Sequence, residues 1–173
     1  IASAYDCERV IQGNSTLGDE IALYQDVPDL VLVPVGGGGL ISGISTAFER
    51  RDVRVPIWGA EPKMADDAYR SFKMGIRMFN EGEPQTLADG ARTQSVGALN
   101  WEIMKRRVSG IRTVSESSIK AAMRLFHSVG HIVEPTGALT LGSLLENPPE
   151  ESRIVAVISG RNVDSSLYKS IIK

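Results

Sequence analysis

Short apolar runs alternate with amphipathic stretches along most of the chain. Residues 30–35 read Leu-Val-Leu-Val-Pro-Val, and residues 55–60 and 153–158 carry runs of similar, strand-like length. Between the first two, residues 40–51 place apolar side chains at helical spacing, which predicts a strand–helix–strand unit with parallel strands. Asn14 and Ser15 are capping residue types and predict a helix over 17–24, broken by Val27-Pro28-Asp29. Glu61-Pro62 ends the second strand, and a helix is predicted over 65–73. Residues 75–99 lose all periodicity and read as a long loop, of the kind that tends to be functional in a compact domain.

Order returns with a helix over 100–107 and a strand over 111–114. Thr113 and Glu116 have capping-box spacing ahead of an apolar stripe, Ile119, Ala122, Met123 and Phe126, and Gly130 stops that helix. Pro135 suits a first helical position and opens a helix of small residues to about 145, and a last helix starts near Asp164. The continuous run at 153–158 predicts a strand with both faces covered. The fold class is therefore α/β: an open, mostly parallel twisted sheet with helices on both faces.

Four consecutive glycines, Gly36, Gly37, Gly38 and Gly39, stand where the first strand turns into the helix at Leu40. Residues without side chains at a helix N-terminus leave backbone N–H groups pointing outward, and the helix dipole adds partial positive charge. That is a phosphate cradle. A tight turn alone needs only one or two glycines, and each extra glycine costs about 0.5–1 kcal/mol of chain entropy. A Walker loop is excluded because no Lys-Ser/Thr follows. A dinucleotide fingerprint is a nearer rival, since Gly37, Gly39 and Ser42 approximate its spacing and Glu61 ends the next strand. Its third position is Ser, however, and the acid comes later than the usual interval of about 20 residues.

At 173 residues and 42% hydrophobic, the chain can bury one substantial core. A net charge of −2 with no dense basic block argues against nucleic acid or a polybasic membrane patch, leaving small molecules and other subunits as partners. The single cysteine, Cys7, excludes a disulfide framework and fits a reducing, cytoplasmic compartment. No apolar stretch approaches the roughly 18 residues of a membrane span, and no signal peptide is evident, so a soluble protein is expected. Because the chain opens on Ile1 and not Met, a piece of a longer protein is expected.

The run Val-Pro-Val-Gly-Gly-Gly-Gly-Leu-Ile-Ser-Gly, then Ala60-Glu61-Pro62, Ala88-Asp89-Gly90, Glu134-Pro135-Thr136-Gly137-Ala138 and Ser159-Gly160-Arg161-Asn162 resemble the serine racemase and threonine dehydratase group of fold-type-II pyridoxal-phosphate enzymes. Order and spacing match over essentially the whole chain, which resembles only the C-terminal part of the large cofactor-binding domain of such an enzyme. The resemblance implies that backbone amides of Gly36, Gly37, Gly38, Gly39 and Leu40 hold the phosphate of pyridoxal 5'-phosphate. It gives Ser159 the pyridine nitrogen, Glu134 the ring edge, and Gly90 and Asn162 further cofactor contacts. Read from the residues alone, Ser159 also suits a turn cap, Glu134 a helix-start carboxylate and Gly90 a loop glycine. The family shows Ser-Gly-Gly-Asn or a close variant where Arg161 stands here; its guanidinium either recruits an anionic group or points to solvent.

The resemblance also implies a Mg²⁺ or similar divalent-cation site at Glu61, Ala65 and Asp67, from two carboxylates and a backbone carbonyl. Hard oxygen ligands suit such an ion, although Asp66-Asp67 alone reads as an acidic first turn of a helix. His127 and His131 flank a helix end and need no catalytic role. The family's Schiff-base lysine sits in a Ser-Phe-Lys context upstream of the glycine loop, so Ser71-Phe72-Lys73 is a coincidental match and the catalytic lysine is expected outside this chain. The implied activity of the intact protein is β-elimination from a β-hydroxy amino acid such as serine or threonine, giving a 2-oxo acid and ammonia. Racemisation is the competing outcome, and a dimer is the implied assembly. The isolated chain is expected to be inactive, and a non-catalytic ligand-binding protein of the same fold is the alternative from another class.

Overall fold

The structure, a computed structural model, describes residues 3–173. In chain order the elements are α1 (Glu8–Ala22), β1 (Leu30–Pro34), α2 (Gly39–Arg50), β2 (Ile57–Pro62), α3 (Asp67–Met74), α4 (Ala98–Arg107), β3 (Gly110–Val114), α5 (Glu116–Ser128), α6 (Leu139–Glu146), β4 (Ile154–Ala156) and α7 (Ser165–Ile172). A 3₁₀ turn at Asp89–Ala91 interrupts the long connection after α3. The strands form one parallel sheet in the order β3-β2-β1-β4. This is the α/β architecture that the alternating pattern predicts.

β1 is buried along its whole length because its side chains alternate between two apolar layers. Val31 and Val33 join Ile41, Ile44 and Phe48 of α2 on one face, while Leu32 joins Ile119 and Met123 of α5 and Leu139 of α6 on the other. Burying each such side chain contributes about 1.5–3 kcal/mol, so the strand that leads into the glycines is the most firmly held in the sheet. The carboxyl ends of β1 and β2 are thereby fixed side by side, with Pro34 in register with Ala60.

Several local expectations are corrected. The first helix starts at Glu8, so Asn14 and Ser15 lie inside it. Ser15 Oγ donates to the Gln12 carbonyl at 2.8 Å, and Asn14 packs against Gly43 of α2, where an added Cβ would come within 2.5 Å of the Asn14 Cβ. Of these capping residue types, Asn14 packs between helices and Ser15 bonds within its own helix. The second strand runs two residues further than its apolar core and includes Glu61 and Pro62, since it pairs with β3 to that point. The cap of α5 is Ser115, whose Oγ accepts from the Ser118 N–H at 3.2 Å, not Thr113. Glu116 turns away to accept from Thr86 Oγ1 and the Leu87 N–H at 2.6 and 2.9 Å, tying down the long loop. Residues 135–138 form a turn, and α6 begins only at Leu139. β4 is shorter than its apolar run and half-buried, because it pairs with β1 alone and has no neighbour on its other edge among the described residues.

Candidate functional site

The glycine run sits at the carboxyl end of β1, where open parallel sheets place their ligands. Gly38 is the N-cap residue of α2, with φ at +86°, a left-handed conformation that a side chain would strain. A Cβ on Gly36 would come within 2.7 Å of the Gly90 carbonyl oxygen, so two loops distant in sequence meet backbone to backbone. Among the described residues no acceptor meets the N–H groups of Gly38, Gly39 or Leu40. Unpaired N–H groups in largely buried residues at a helix N-terminus call for an anion, and no side chain among the described residues supplies one.

These N–H groups border a cleft of about 330 Å³. Gly36, Gly37, Gly38, Gly39, Leu40, Gly90, Glu134 and Ser159 all line it, so the structure brings together eight of the nine residues singled out as a cofactor site. The ninth, Asn162, is exposed and does not line the cleft, but its backbone N–H lies near enough to Glu134 to favour the charged carboxylate. Burial pushes the Glu134 carboxyl above its ordinary range, the Asn162 N–H opposes that, and the Asp89 charge adds to it. The backbone N–H of Glu134 donates to the Gly160 carbonyl at 3.2 Å, locking the two loops that carry Glu134 and Ser159. Thr136, buried beside them, accepts the Gly90 N–H on its Oγ1 at 3.1 Å.

Glu61 and Asp67 form a second, separate cluster, each 1% exposed. The Glu61 carboxylate accepts from the N–H groups of Ala68 and Tyr69 at the start of α3. Asp67 accepts from Asn80 Nδ2 and from the Val96 N–H, both at 2.8 Å. Burial raises both carboxyls, that of Asp67 to about 6, and the charge of Asp67 raises Glu61 further. Neither belongs to an ion pair among the described residues, whereas Asp66 is paired with Arg70 at 2.7 Å. No hydrogen bond reaches the carbonyl of buried Ala65 among those residues. Two buried carboxylates outside any ion pair and a carbonyl without a hydrogen bond are oxygen donors of the type a hard divalent cation takes. No group of three or more His, Cys, Asp and Glu side chains suited to a metal occurs among the described residues.

Lys73 lies on α3 with its ammonium 4.5 Å from the Tyr69 ring centre, outside the cleft, and Phe72 stacks edge-on against Trp101 at 5.5 Å. Ser71 is buried and donates to the Asp67 carbonyl. Ser71-Phe72-Lys73 is thus a packing and surface segment. His127 Nδ1 meets the Tyr168 hydroxyl at 3.1 Å, while His131 and Arg161 border a wider cavity of about 680 Å³ that also touches Ser159.

Reading the sequence alone missed three contributors to the cleft. Tyr5 lays its ring against Gly37, Thr136 holds Gly90, and Asn100, fully buried, donates from Nδ2 to the Gly37 carbonyl at 2.7 Å. Thr136 stood within the motif Glu134–Ala138, but the other two carry no local signal.

Over residues 1–160 the chain matches the family described as pyridoxal-phosphate dependent enzyme. It is 36% identical to a serine racemase of Dictyostelium discoideum over 97% of its own length and 53% of that protein's. A β-hydroxyaspartate dehydratase of Paracoccus denitrificans is 38% identical over 92% of the chain and 51% of the relative. Among solved structures, a T.th. threonine deaminase superposes with a TM-score of 0.86 at 42% identity, covering 92% of this chain and 54% of that one. The chain spans about half the length of the curated relatives it matches.

Proposed function

The chain belongs to the pyridoxal-phosphate dependent enzyme family, and on that premise we propose that the intact protein eliminates water from a β-hydroxy amino acid such as serine or threonine and releases a 2-oxo acid and ammonia. The observation that carries the reading is the row of N–H groups without acceptors at Gly38, Gly39 and Leu40, facing a cleft that Glu134 and Ser159 also border. When bound, pyridoxal phosphate supplies an electron sink for the carbanion left by loss of the α-proton.

The residues of this chain hold and tune that group. The amides of Gly36, Gly37, Gly38, Gly39 and Leu40 take the phosphate, helped by the α2 dipole. Ser159 offers the ring nitrogen a neutral hydroxyl, which cannot keep that nitrogen protonated as a carboxylate would. A weaker sink suits elimination and racemisation, which need less delocalisation than transamination. Glu134 borders the ring edge, and Gly90 and Asn162 make the further cofactor contacts. Glu61, Ala65 and Asp67 take a Mg²⁺ or similar ion, whose charge offsets the repulsion of two buried carboxylates. In this reading the chain is the C-terminal part of the large domain, the Schiff-base lysine lies outside it, the chain alone is inactive, and the working assembly is a cytoplasmic dimer. Among the described residues no helix is long and apolar enough to cross a membrane.

Two relatives favour refinements. The serine racemase at 36% identity supports racemisation as a second outcome, and the β-hydroxyaspartate dehydratase supports a substrate with a second carboxylate, for which Arg161 beside Ser159 offers a guanidinium. The test is to incubate the intact protein with serine, threonine and β-hydroxyaspartate and measure 2-oxo acid, ammonia and the opposite enantiomer. Absence of all three products from every substrate, with pyridoxal phosphate bound, would sink the reading. Arg161→Gly is expected to lower kcat/KM for β-hydroxyaspartate by about twofold to fivefold and leave threonine unchanged, the size of an exposed ion pair.

A further inference from the structure

Gly37 is gripped by its carbonyl from the side away from the cleft. That oxygen accepts two hydrogen bonds, from Asn100 Nδ2 at 2.7 Å and from the Gly97 N–H at 3.0 Å. The second proton of the Asn100 amide goes to the Tyr5 carbonyl at 3.0 Å, and the Asn100 side chain packs under Gly38, where an added Cβ would come within 3.1 Å of its Cβ. Asn100 itself is fully buried on α4.

A trans peptide points its C=O and N–H in opposite directions. Drawing the Gly37 carbonyl toward α4 therefore turns the N–H of the same peptide, that of Gly38, outward toward the cleft. The Asn100 side chain accepts a cost for this: its own Oδ1 is buried without a partner among the described residues. Flipping the amide would aim that oxygen at two carbonyl oxygens, so the orientation is set by Gly37 and Tyr5 together.

We propose that Asn100 is the positioning residue of the anion cradle, fixing the Gly37–Gly38 peptide so that its N–H faces a phosphate before one arrives. The inference rests on the proposed phosphate site and adds the residue that preorganises it. Polarisation along the chain of hydrogen bonds couples the two ends, since an anion on the Gly38 N–H strengthens the acceptor character of the Gly37 carbonyl.

The experiment compares two ligands on the intact protein stripped of cofactor: pyridoxal phosphate, and pyridoxal, which shares its ring and aldehyde but lacks the phosphate. Asn100→Ala and the near-isosteric Asn100→Asp are expected to weaken pyridoxal phosphate roughly tenfold to a hundredfold and to change pyridoxal by less than about twofold. Equal losses for both ligands, as a merely structural role produces, or no loss for either, would overturn the proposal. Should both variants fail to fold, the unaltered protein labelled with ¹⁵N-asparagine and ¹⁵N-glycine decides it on titration with inorganic phosphate. The Asn100 side-chain amide is expected to shift with the same midpoint as the backbone amides of Gly38 and Gly39. If the glycine amides move and Asn100 does not, the positioning role is wrong and the phosphate site stands. If none of them moves, the phosphate site falls and the positioning role with it.

Discussion

The helices α2 and α3 begin in the same way and end up with opposite electrostatics. Each follows a central strand of the sheet, and the two strands lie side by side in register. At α3 the N–H groups of Ala68 and Tyr69 are taken by Glu61, a carboxylate from the end of β2 itself. At α2 the equivalent groups have no acceptor among the described residues, and four glycines keep side chains out of the way. One junction carries its own anion, and the other is built to receive one. The acidic junction then has the reverse need, because Glu61 is buried beside Asp67 and both are raised by burial. An open helix N-terminus invites a phosphate, whereas a filled one whose filler has an acidic neighbour invites a cation.

The largest effect is expected from emptying the filled junction. Glu61→Ala leaves two buried N–H groups of α3 unpaired and a cavity where the side chain was, so a loss of about 3–4 kcal/mol in denaturant unfolding of the intact protein is expected. A loss under about 1 kcal/mol would mean that Glu61 does not hold α3 and that the contrast with α2 is false. Inorganic phosphate should partly restore the stability of this variant and leave the unaltered α3 junction indifferent.

Next comes the pH dependence of the acidic pair. The Asp67 carboxyl is held near 6 in the fold against 3.8 for an unperturbed carboxyl. Between those values the folded state binds a proton that the unfolded state does not. Without divalent cations, Asp67 should therefore add stability as pH falls from about 7 toward 4, by up to roughly 3 kcal/mol, and Glu61 acts in the same direction. Mg²⁺ should flatten this rise, since it keeps the carboxylates ionised, and should bind more weakly at pH 5 than at pH 7.5. Asp67→Asn should remove the Asp67 share of the rise, leaving the share that burial of Glu61 contributes, and should abolish the response to Mg²⁺. Unchanged Mg²⁺ affinity in that variant would show that the cation is bound elsewhere.

The open junction is tested by Gly38→Ala, which forces a side chain into a backbone at φ +86° and puts its Cβ within 2.8 Å of the Met104 sulfur. Unfolding should become easier by about 1–2 kcal/mol, with pyridoxal phosphate affinity falling at least tenfold. Equal affinity in the variant would mean that the cradle conformation is not what binds.

The contrast between the two junctions also marks what the sequence could reveal. β1, the glycines and α2 are legible because every signal is local: an apolar run, residues without side chains, then helical periodicity. Asp164 is legible for the same reason, as it caps α7 through N–H groups two and three residues on. Asn14 and Ser15 mislead because their side chains serve packing and an internal helix contact, choices fixed by α2. Glu61, Glu134 and Ser159 could be placed at the ends of elements from their motifs, but not assigned partners. Asn100 has no signal at all, since the carbonyl it holds lies 63 residues upstream, and Thr136 reaches 46 residues back to Gly90.

The smallest effect separates the cradle from the scaffold behind it. The Asp6 carboxylate caps α4 across more than ninety residues, accepting the Ala98 and Leu99 N–H groups at 2.9 Å each. α4 is the helix that carries Asn100, and the residue before it, Gly97, donates to Gly37. Asp6 thus does for α4 what Glu61 does for α3, but at a position that water can reach and where it can replace the carboxylate. Asp6→Ala should cost about 1 kcal/mol of stability, the size of a lost N-cap. Because Asn100 keeps its own two hydrogen bonds, pyridoxal phosphate affinity should change by less than about twofold. A tenfold loss of affinity would show that the cradle is set by the whole α4 terminus and not by the Asn100 amide.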